Sequence, residues 1–286
     1  MAACPLRGAV DPGPQLVFYR QRSTPVALAP PSTRSLLLSS KTNNIPLSSA
    51  TGFTVMHDGQ PFLVTNWHVA SGRNPITGQP MAKSGATPDT LTIRHLTKVT
   101  SEEVNWDDFD EPLIDSEGRP LWFEHPDYGR RVDVVALPLT NTKGVHIQPY
   151  GPEVMKSTLR AGISDWVNII GFPFGQSAGG SLPIWTKGAI ASEPEVDYDL
   201  LPCFLIDART RQGQSGSPVL AYSPGGATEM ADGKTGFLSG PAGNLLGVYS
   251  GRINSESDIG RVWKFHTVAE LIVARHRGDN SLNGNR

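Results

Sequence analysis

The chain has 286 residues, which is enough for one large all-β domain or two ordinary domains. Its formal net charge of -2 at pH 7 excludes a general electrostatic attraction to nucleic acids or anionic membranes, and 38% hydrophobic residues are typical of a globular protein with a core. Because it has only two cysteines, Cys4 and Cys203, a disulfide-built scaffold is not expected, and a reducing, cytoplasmic location is predicted.

Residues 1–34 are rich in Pro, Ala and Ser and lack periodicity, so they are predicted to be an extension before the domain. No apolar segment of signal-peptide length precedes Asp11 and Pro12. No stretch approaches the roughly 18 apolar residues of a membrane span. These observations agree with a cytoplasmic protein that has no membrane or nucleic-acid partner.

The residues after this extension predict mainly β-strands. In "ATGFTVMHDGQPFLVTNWHVA" (50–70), two β-rich runs flank Asp58-Gly59, a dipeptide suited to a tight hairpin turn. "TLTIRHLTKV" (90–99) alternates like a strand, and "RVDVVALPL" (131–139) predicts a buried strand. Further predicted strands are "DWVNIIGFPFG", "IWTKGAIAS", "CFLIDA", "SPVLAYS" and "NLLGVYSGRI". Helical spacing is confined to "KFHTVAELIVARHR" (264–277), and 276–286 are predicted to be a disordered tail. The pattern indicates an all-β fold of antiparallel barrels or a sandwich, with a C-terminal helix.

An acidic segment, residues 102–117, interrupts this pattern. It holds eight acids and no Lys or Arg, which predicts a solvated loop or an insertion near 101–128. A docking or cation-binding surface is the alternative. The segment lacks the glycine and the spacing of a calcium-binding loop, so no metal site and no cofactor are predicted.

"RQGQSGSPV" (211–219) places Ser215 in a turn between two apolar runs. A serine hydroxyl becomes a nucleophile when a base lies within hydrogen-bond reach and an acid orients that base. Gly213 lets the backbone turn so that the N–H groups of Gly213 and Ser215 can face one hollow and bind an oxyanion. A plain surface turn is the alternative interpretation.

His68 is the candidate base, because it ends an apolar strand directly after the predicted hairpin. Asp133 is the candidate acid, since a carboxylate among branched aliphatic residues needs a partner. That partner could instead be Arg130 or Arg131. The order His68, Asp133, Ser215 is one of the known orders of a catalytic triad.

Three motifs together resemble those of the chymotrypsin-fold, trypsin-like serine peptidases, and most of all their disulfide-poor bacterial branch, the HtrA-like proteases. "TNWHVA" resembles the histidine motif, "VDVVALPL" the aspartate motif and "LIDARTRQGQSGSPV" the serine motif; "GFPFG" resembles a strand-turn of the same branch. The similarity covers residues 35–275. It implies two six-stranded antiparallel barrels, a serine endopeptidase that forms an acyl-enzyme, and a protein or peptide substrate. Only a few dozen residues follow the last predicted strands, so a PDZ domain after the peptidase domain is not expected.

The resemblance also implies roles for single residues. His68 would accept the proton of Ser215, Asp133 would orient His68, and the N–H groups of Gly213 and Ser215 would form the oxyanion hole. Gly216-Ser217-Pro218 departs from the usual Gly-Gly-Pro, and 65 residues separate His68 from Asp133.

The resemblance places the base of the substrate pocket six residues before the nucleophile. This is Arg209, beside Thr210, with Ser250 as a further pocket residue. An inward Arg209 would favour acidic side chains; an outward Arg209, or one paired with Asp207, would leave a small or apolar pocket.

Gln214 stands where digestive relatives carry an aspartate that pairs with a new N-terminus. We therefore expect no zymogen cleavage. The loop around Gly213 would be formed already, or be set by substrate or by a regulatory protein partner.

Two other function classes are alternatives for this sequence. A protease-like binding module without activity is one. An α/β-hydrolase esterase is the other; it would use Asp232 or Asp258 with His266, but it requires an alternation of strands and helices that this sequence lacks.

Overall fold

The computed structural model describes residues 28–100, 103–151, 158–254 and 256–279. Two six-stranded antiparallel units dominate it, which confirms the predicted all-β fold. Residues 1–27 of the predicted N-terminal extension and 280–286 of the predicted C-terminal tail lie outside the described residues. No helix in the described ranges is long and apolar enough to cross a membrane.

The first unit is a sheet in the order β5-β4-β1-β2-β3-β6. The predicted hairpin is present: Asp58 and Gly59 both have positive φ, and they join β2 to β3. Its elements are α1 (Pro30–Arg34), β1 (Ser35–Thr42), β2 (Ile45–His57), β3 (Gln60–Thr65), α2 (Trp67–Ser71), β4 (Thr90–Val99), β5 (Val104–Pro112) and β6 (Val135–Pro138).

The acidic segment is not a loop, and this part of the prediction is wrong. Most of it forms β5, the edge strand paired with β4. Its acids face basic and hydroxyl side chains across the ladder: Asp108 pairs with Arg94, Asp107 accepts from Thr97, and Asp110 accepts from Thr92. Opposite charges across a strand pair stabilise it, and a charged edge resists pairing with another sheet.

The second unit closes into a barrel in the order β10-β13-β14-β9-β8-β7. A short hairpin of β11 and β12 extends from it, and α3 packs against β14 and β6. Its elements are β7 (Trp166–Gly171), β8 (Ile184–Ile190), β9 (Cys203–Ala208), β10 (Pro218–Ser223), β11 (Gly226–Glu229), β12 (Thr235–Leu238), β13 (Ala242–Arg252), β14 (Ile259–Lys264) and α3 (His266–Ala274).

A hydrophobic cluster joins the two units and fixes the cleft between them. Phe53 and Val134 of the first unit pack with Val248 and Trp263 of the second, and Leu271 of α3 covers them. These side chains are almost fully buried. Burial of large apolar side chains stabilises each by about 1.5–3 kcal/mol, so the two units hold a fixed relative position.

Backbone pairing orders the start of the predicted tail, which corrects the predicted disorder for residues 276–279. Glu124 N–H donates to the His276 carbonyl, and Gly278 N–H donates to the Trp122 carbonyl. Asp279 of this segment lines the cavity between the two units. The antiparallel sheets also exclude the esterase alternative, which needs a mainly parallel sheet.

Candidate active site

His68 lies on a short helix, not at the end of the strand as predicted. Strand β3 ends at Thr65, and α2 begins two residues later. The helix ends at Gly72, whose left-handed φ of 66° and N–H donation to the His68 carbonyl form the C-terminal cap. The imidazole is thus carried by a rigid turn at the mouth of the cleft.

Asp133 lies two residues before the start of β6, between the fully buried Val132 and Val134. Its Oδ2 is 2.7 Å from His68 Nδ1, and its Oδ1 accepts from the His68 backbone N–H at 2.9 Å. Asn66 also donates to its carbonyl at 2.7 Å. The short helix and the strand are therefore tied together at the imidazole, and no salt bridge in the described ranges joins Asp133 to Arg130 or Arg131.

These contacts set the protonation of His68. An ionised carboxylate only accepts hydrogen bonds, so Nδ1 carries the proton and Nε2 is left as an acceptor facing the cleft. Burial lowers the pKa of His68, but the charge of Asp133 and its hydrogen bond raise it by more, so the pKa lies above the ordinary value of 6.5. The geometry suits a general base.

Ser250 makes a third contact with the carboxylate. Its Oγ donates to Asp133 Oδ2 at 2.7 Å, from strand β13 of the barrel. The predicted role of Ser250 was to line the substrate pocket, and it does line the cavity. Its bond to Asp133 was not foreseen, because 117 residues separate the two in sequence.

Ser215 lines the same cavity of about 1400 Å³ as His68, Asp133 and Ser250. Its carbonyl accepts from Thr51 N–H at 2.8 Å, which fixes the turn against strand β2. The hydrogen bonds of the described ranges do not include one between Ser215 Oγ and His68. Such bonds are often long in the absence of substrate.

Gly213 and Gly216 flank the serine in conformations that favour glycine. Their φ values are 94° and 83°. A Cβ on Gly216 would lie 2.0 Å from the Thr51 carbonyl oxygen, and one on Gly213 would lie 2.4 Å from the Phe172 carbonyl oxygen. The turn therefore depends on both glycines.

The peptide between Gln212 and Gly213 has a defined orientation. The Gln212 carbonyl accepts from Phe174 N–H at 2.6 Å. Because this peptide is trans, the N–H of Gly213 points the opposite way. In the described ranges, the N–H groups of Gly213 and Ser215 have no acceptor. They are available to bind an oxyanion.

Thr51 is a residue that the sequence interpretation missed. Its buried hydroxyl donates to the Gly213 carbonyl at 2.8 Å and accepts from Phe172 N–H at 3.0 Å. Strand β2 of the first unit thus supports the loop that carries Ser215. No local signal distinguishes this threonine from its neighbours.

The remaining predicted pocket residues lie elsewhere. Arg209 is exposed and is not part of the cavity lining, so the structure does not place it where it would receive a substrate side chain. Thr210 is also outside the lining; its hydroxyl is buried against the Tyr249 hydroxyl. Gln214 is buried as well and bonds within the loop.

Glu124 is a second buried carboxyl group on the cavity wall. Its Oε1 accepts from the indole N–H groups of Trp67 and Trp122, at 2.7 and 3.0 Å. Burial raises the pKa of this carboxyl group, and the indole hydrogen bonds oppose that shift. The bond to Trp67 supports the short helix that also carries His68. No cluster of metal-ligating side chains occurs in the described ranges.

Sequence comparison gives one domain family: the trypsin-like peptidase domain matches residues 50–225. The chain has no significant match among curated proteins.

Similar solved structures include the active form of the Rv3671c protease from Mycobacterium tuberculosis, with 17% identity, 95% of this chain and 93% of that chain covered, and a TM-score of 0.47. An inactive form of an Rv3671c mutant has 19% identity, 86% coverage of each chain and a TM-score of 0.45. The serine endoprotease from Yersinia pestis has 14% identity, a TM-score of 0.46, and coverage of 85% of this chain and 62% of that one.

Proposed function

Since the chain belongs to the trypsin-like peptidase family and is a serine protease, we propose that it cleaves peptide bonds within polypeptides through an acyl-enzyme, with Ser215, His68 and Asp133 as a catalytic triad. The observation that carries this proposal is the contact between His68 Nδ1 and Asp133 at 2.7 Å, in a cavity that Ser215 also lines. The protonated Nδ1 leaves Nε2 as the acceptor that a serine nucleophile needs.

The reaction proceeds in two halves. Ser215 Oγ attacks the carbonyl carbon of the substrate while His68 Nε2 takes the hydroxyl proton. The C–N bond then breaks, and the same proton passes to the leaving amine, which gives an ester on Ser215. Water repeats the sequence: His68 takes its proton, the hydroxide attacks the ester, and Ser215 regains its proton when the acid leaves.

The role of Asp133 is to hold the imidazole and to stabilise its charged form. It receives the His68 ring N–H, the His68 backbone N–H and the Ser250 hydroxyl. The oxyanion of each tetrahedral intermediate would be bound by the N–H groups of Gly213 and Ser215. Loss of one such donor typically costs about 100- to 1000-fold in kcat.

A fluorophosphonate probe tests the proposal. The probe forms a phosphonate ester with an activated serine, so wild-type protein should be labelled on Ser215. Ser215→Ala and His68→Ala should abolish labelling and peptide cleavage, and Asp133→Asn should reduce both by about 10⁴-fold. Ser217→Ala serves as the control, because Ser217 Oγ is buried and should not react.

A binding module would give a different result. Folded wild-type protein that stays unlabelled between pH 6 and 9 would exclude the enzymatic proposal. Labelling that persists in Ser215→Ala would assign another nucleophile. Near-wild-type turnover in Asp133→Asn would remove Asp133 from its proposed role.

We also propose a cytoplasmic location. The sequence has only two cysteines and Cys203 is a free, buried thiol, which fits a compartment where disulfides do not form. Cell fractionation with the native chain tests this point, and recovery in an extracellular fraction would contradict it.

A further inference from the structure

Four arginines line the cavity that holds His68 and Ser215. Arg130 and Arg131 lie on the first-unit wall, just before Asp133, and Arg252 and Arg261 lie on β13 and β14 of the barrel wall. In the described ranges, none of the four forms a salt bridge. By contrast, the neighbouring Lys264 pairs with Asp197 at 2.6 Å.

Two of these guanidinium groups carry buried N–H atoms without an acceptor. Arg130 Nη1 and Arg261 Nε are inaccessible to solvent and make no hydrogen bond. A buried donor without a partner is costly, and more so on a charged group. A ligand in the cavity would therefore bind the other nitrogens of these two guanidinium groups, which are not among the buried unpaired atoms.

Aromatic rings hold two of the guanidinium planes. The Arg131 guanidinium lies 5.9 Å from the Tyr128 ring centroid, and that of Arg261 lies 5.7 Å from the Tyr198 ring. A cation–π contact of this kind does not use the N–H groups of the guanidinium, so it is compatible with hydrogen bonds to a carboxylate.

In the described part of the chain, the carboxylates of the cavity form no salt bridge with these arginines. Asp133 is bonded to His68 and Ser250, and Glu124 is bonded to two indoles. Asp279 acts electrostatically on Glu124, at that end of the cavity. Asp199 is exposed and makes no salt bridge with an arginine in the described part of the chain.

We propose that this cleft selects polypeptide substrates with acidic side chains near the bond to be cleaved, and that Arg130, Arg131, Arg252 and Arg261 bind their carboxylates. The substrate class rests on the proposed function. A cavity of about 1400 Å³ exceeds the usual 300–1,000 Å³ of a small-molecule site, so it has room for several residues of an extended peptide. This site differs from the Arg209 pocket predicted from sequence, since Arg209 is outside the cavity lining.

Binding to the full-length Ser215→Ala protein tests the proposal without catalysis. The probes are fluorescein-labelled ten-residue peptides in which alanine alternates with Glu, Gln or Lys. We expect the Glu peptide to bind about tenfold or more tightly than the Gln peptide, by fluorescence anisotropy, with a difference that shrinks as salt increases.

Variants test which arginines cause the preference for the Glu peptide. Arg131 and Arg252 are exposed, so Arg131→Gln with Arg252→Gln should leave the fold intact and reduce the Glu preference to within about twofold. Arg209→Gln is the matched control and should retain the preference. If Arg209→Gln removes it while the double variant does not, the pocket predicted from sequence is correct and this proposal is wrong.

The two proposals fail separately. Equal binding of the Glu and Gln peptides, or no binding of any peptide, overturns the acidic preference even if Ser215 is labelled by fluorophosphonate. Absence of labelling overturns the protease mechanism whatever the peptides do. In active enzyme, a cleavage-site profile enriched in Asp and Glu beside the cut would support both proposals.

Discussion

Thr51→Val should uncouple the nucleophile loop from the first unit. Valine has nearly the same shape as threonine but lacks the hydroxyl. The change would leave the Gly213 carbonyl without its donor and the Phe172 N–H without its acceptor, and both contacts are buried. Each unsatisfied group costs about 1–3 kcal/mol, so the free energy of unfolding should fall by about 2–6 kcal/mol.

The catalytic effect is separate from this loss of stability. Gly213 would supply an oxyanion donor, and its carbonyl is held by the Thr51 hydroxyl. A full donor loss costs about 100- to 1000-fold, so a displaced donor should lower kcat by about 10- to 100-fold with a smaller change in KM. Kinetics with a fluorogenic peptide, beside thermal unfolding, measure the two effects.

Two variants serve as controls for Thr51→Val. Thr51→Ser keeps the hydroxyl and should restore most of kcat, at a stability cost of about 1 kcal/mol for the lost methyl group. Thr54→Val makes the same chemical change in the same strand, where the hydroxyl makes no hydrogen bond in the described ranges, and should leave kcat unchanged. If Thr51→Val retains kcat within twofold, or Thr51→Ser loses as much as Thr51→Val, the support role of this hydroxyl is refuted.

Four further outcomes are expected. The rise of kcat/KM with pH should have a midpoint above 6.5, since Asp133 raises the pKa of His68; a midpoint at or below 6.5 would contradict this. Ser250→Ala should lower kcat by about tenfold or less in peptide assays, because Asp133 keeps both bonds from His68, and a loss as large as that of Asp133→Asn would show otherwise. Burial lowers the pKa of His95 to about 4, so unfolded chains take up a proton first and stability falls from pH 6.5 towards 4, by up to about 3 kcal/mol; His95→Leu should flatten this pH dependence in chemical unfolding. Full-length protein with an intact N-terminus, verified by mass, should be active, because Gln214 replaces the aspartate that needs a new amine; activity only after a defined cut would disprove it.

Local sequence patterns predicted the strands well and their partners poorly. The Asp58-Gly59 turn and the alternation of "TLTIRHLTKV" depend on neighbouring residues, and both elements are present with nearly the predicted bounds. The acidic segment was wrongly predicted to be a loop, because a run of charged side chains is typical of a solvent-exposed loop. Their partners, such as Arg94 for Asp108, become visible only when β4 and β5 pair.

The candidate site shows the same division. His68 and Asp133 could be selected because each stands out in its own apolar segment, although 65 residues separate them. No local sequence pattern indicates the residues whose hydrogen bonds support the site. Thr51 reaches Gly213 across 162 residues, and Ser250 reaches Asp133 across 117. Only the closure of both sheets brings these hydroxyls to their acceptors.

Gln214 shows how one neutral side chain can stabilise the catalytic loop. It is fully buried; its Oε1 accepts from Arg211 N–H at 2.7 Å, and its Nε2 donates to Thr186 Oγ1 at 2.9 Å. A carboxylate here would bring a buried charge that needs a cation, since an unpaired buried charge costs several kcal/mol. An amide makes both hydrogen bonds and carries no charge. The loop that presents Gly213 and Ser215 is therefore braced on one side by Gln214 and on the other by Thr51, and neither brace requires a newly formed N-terminus.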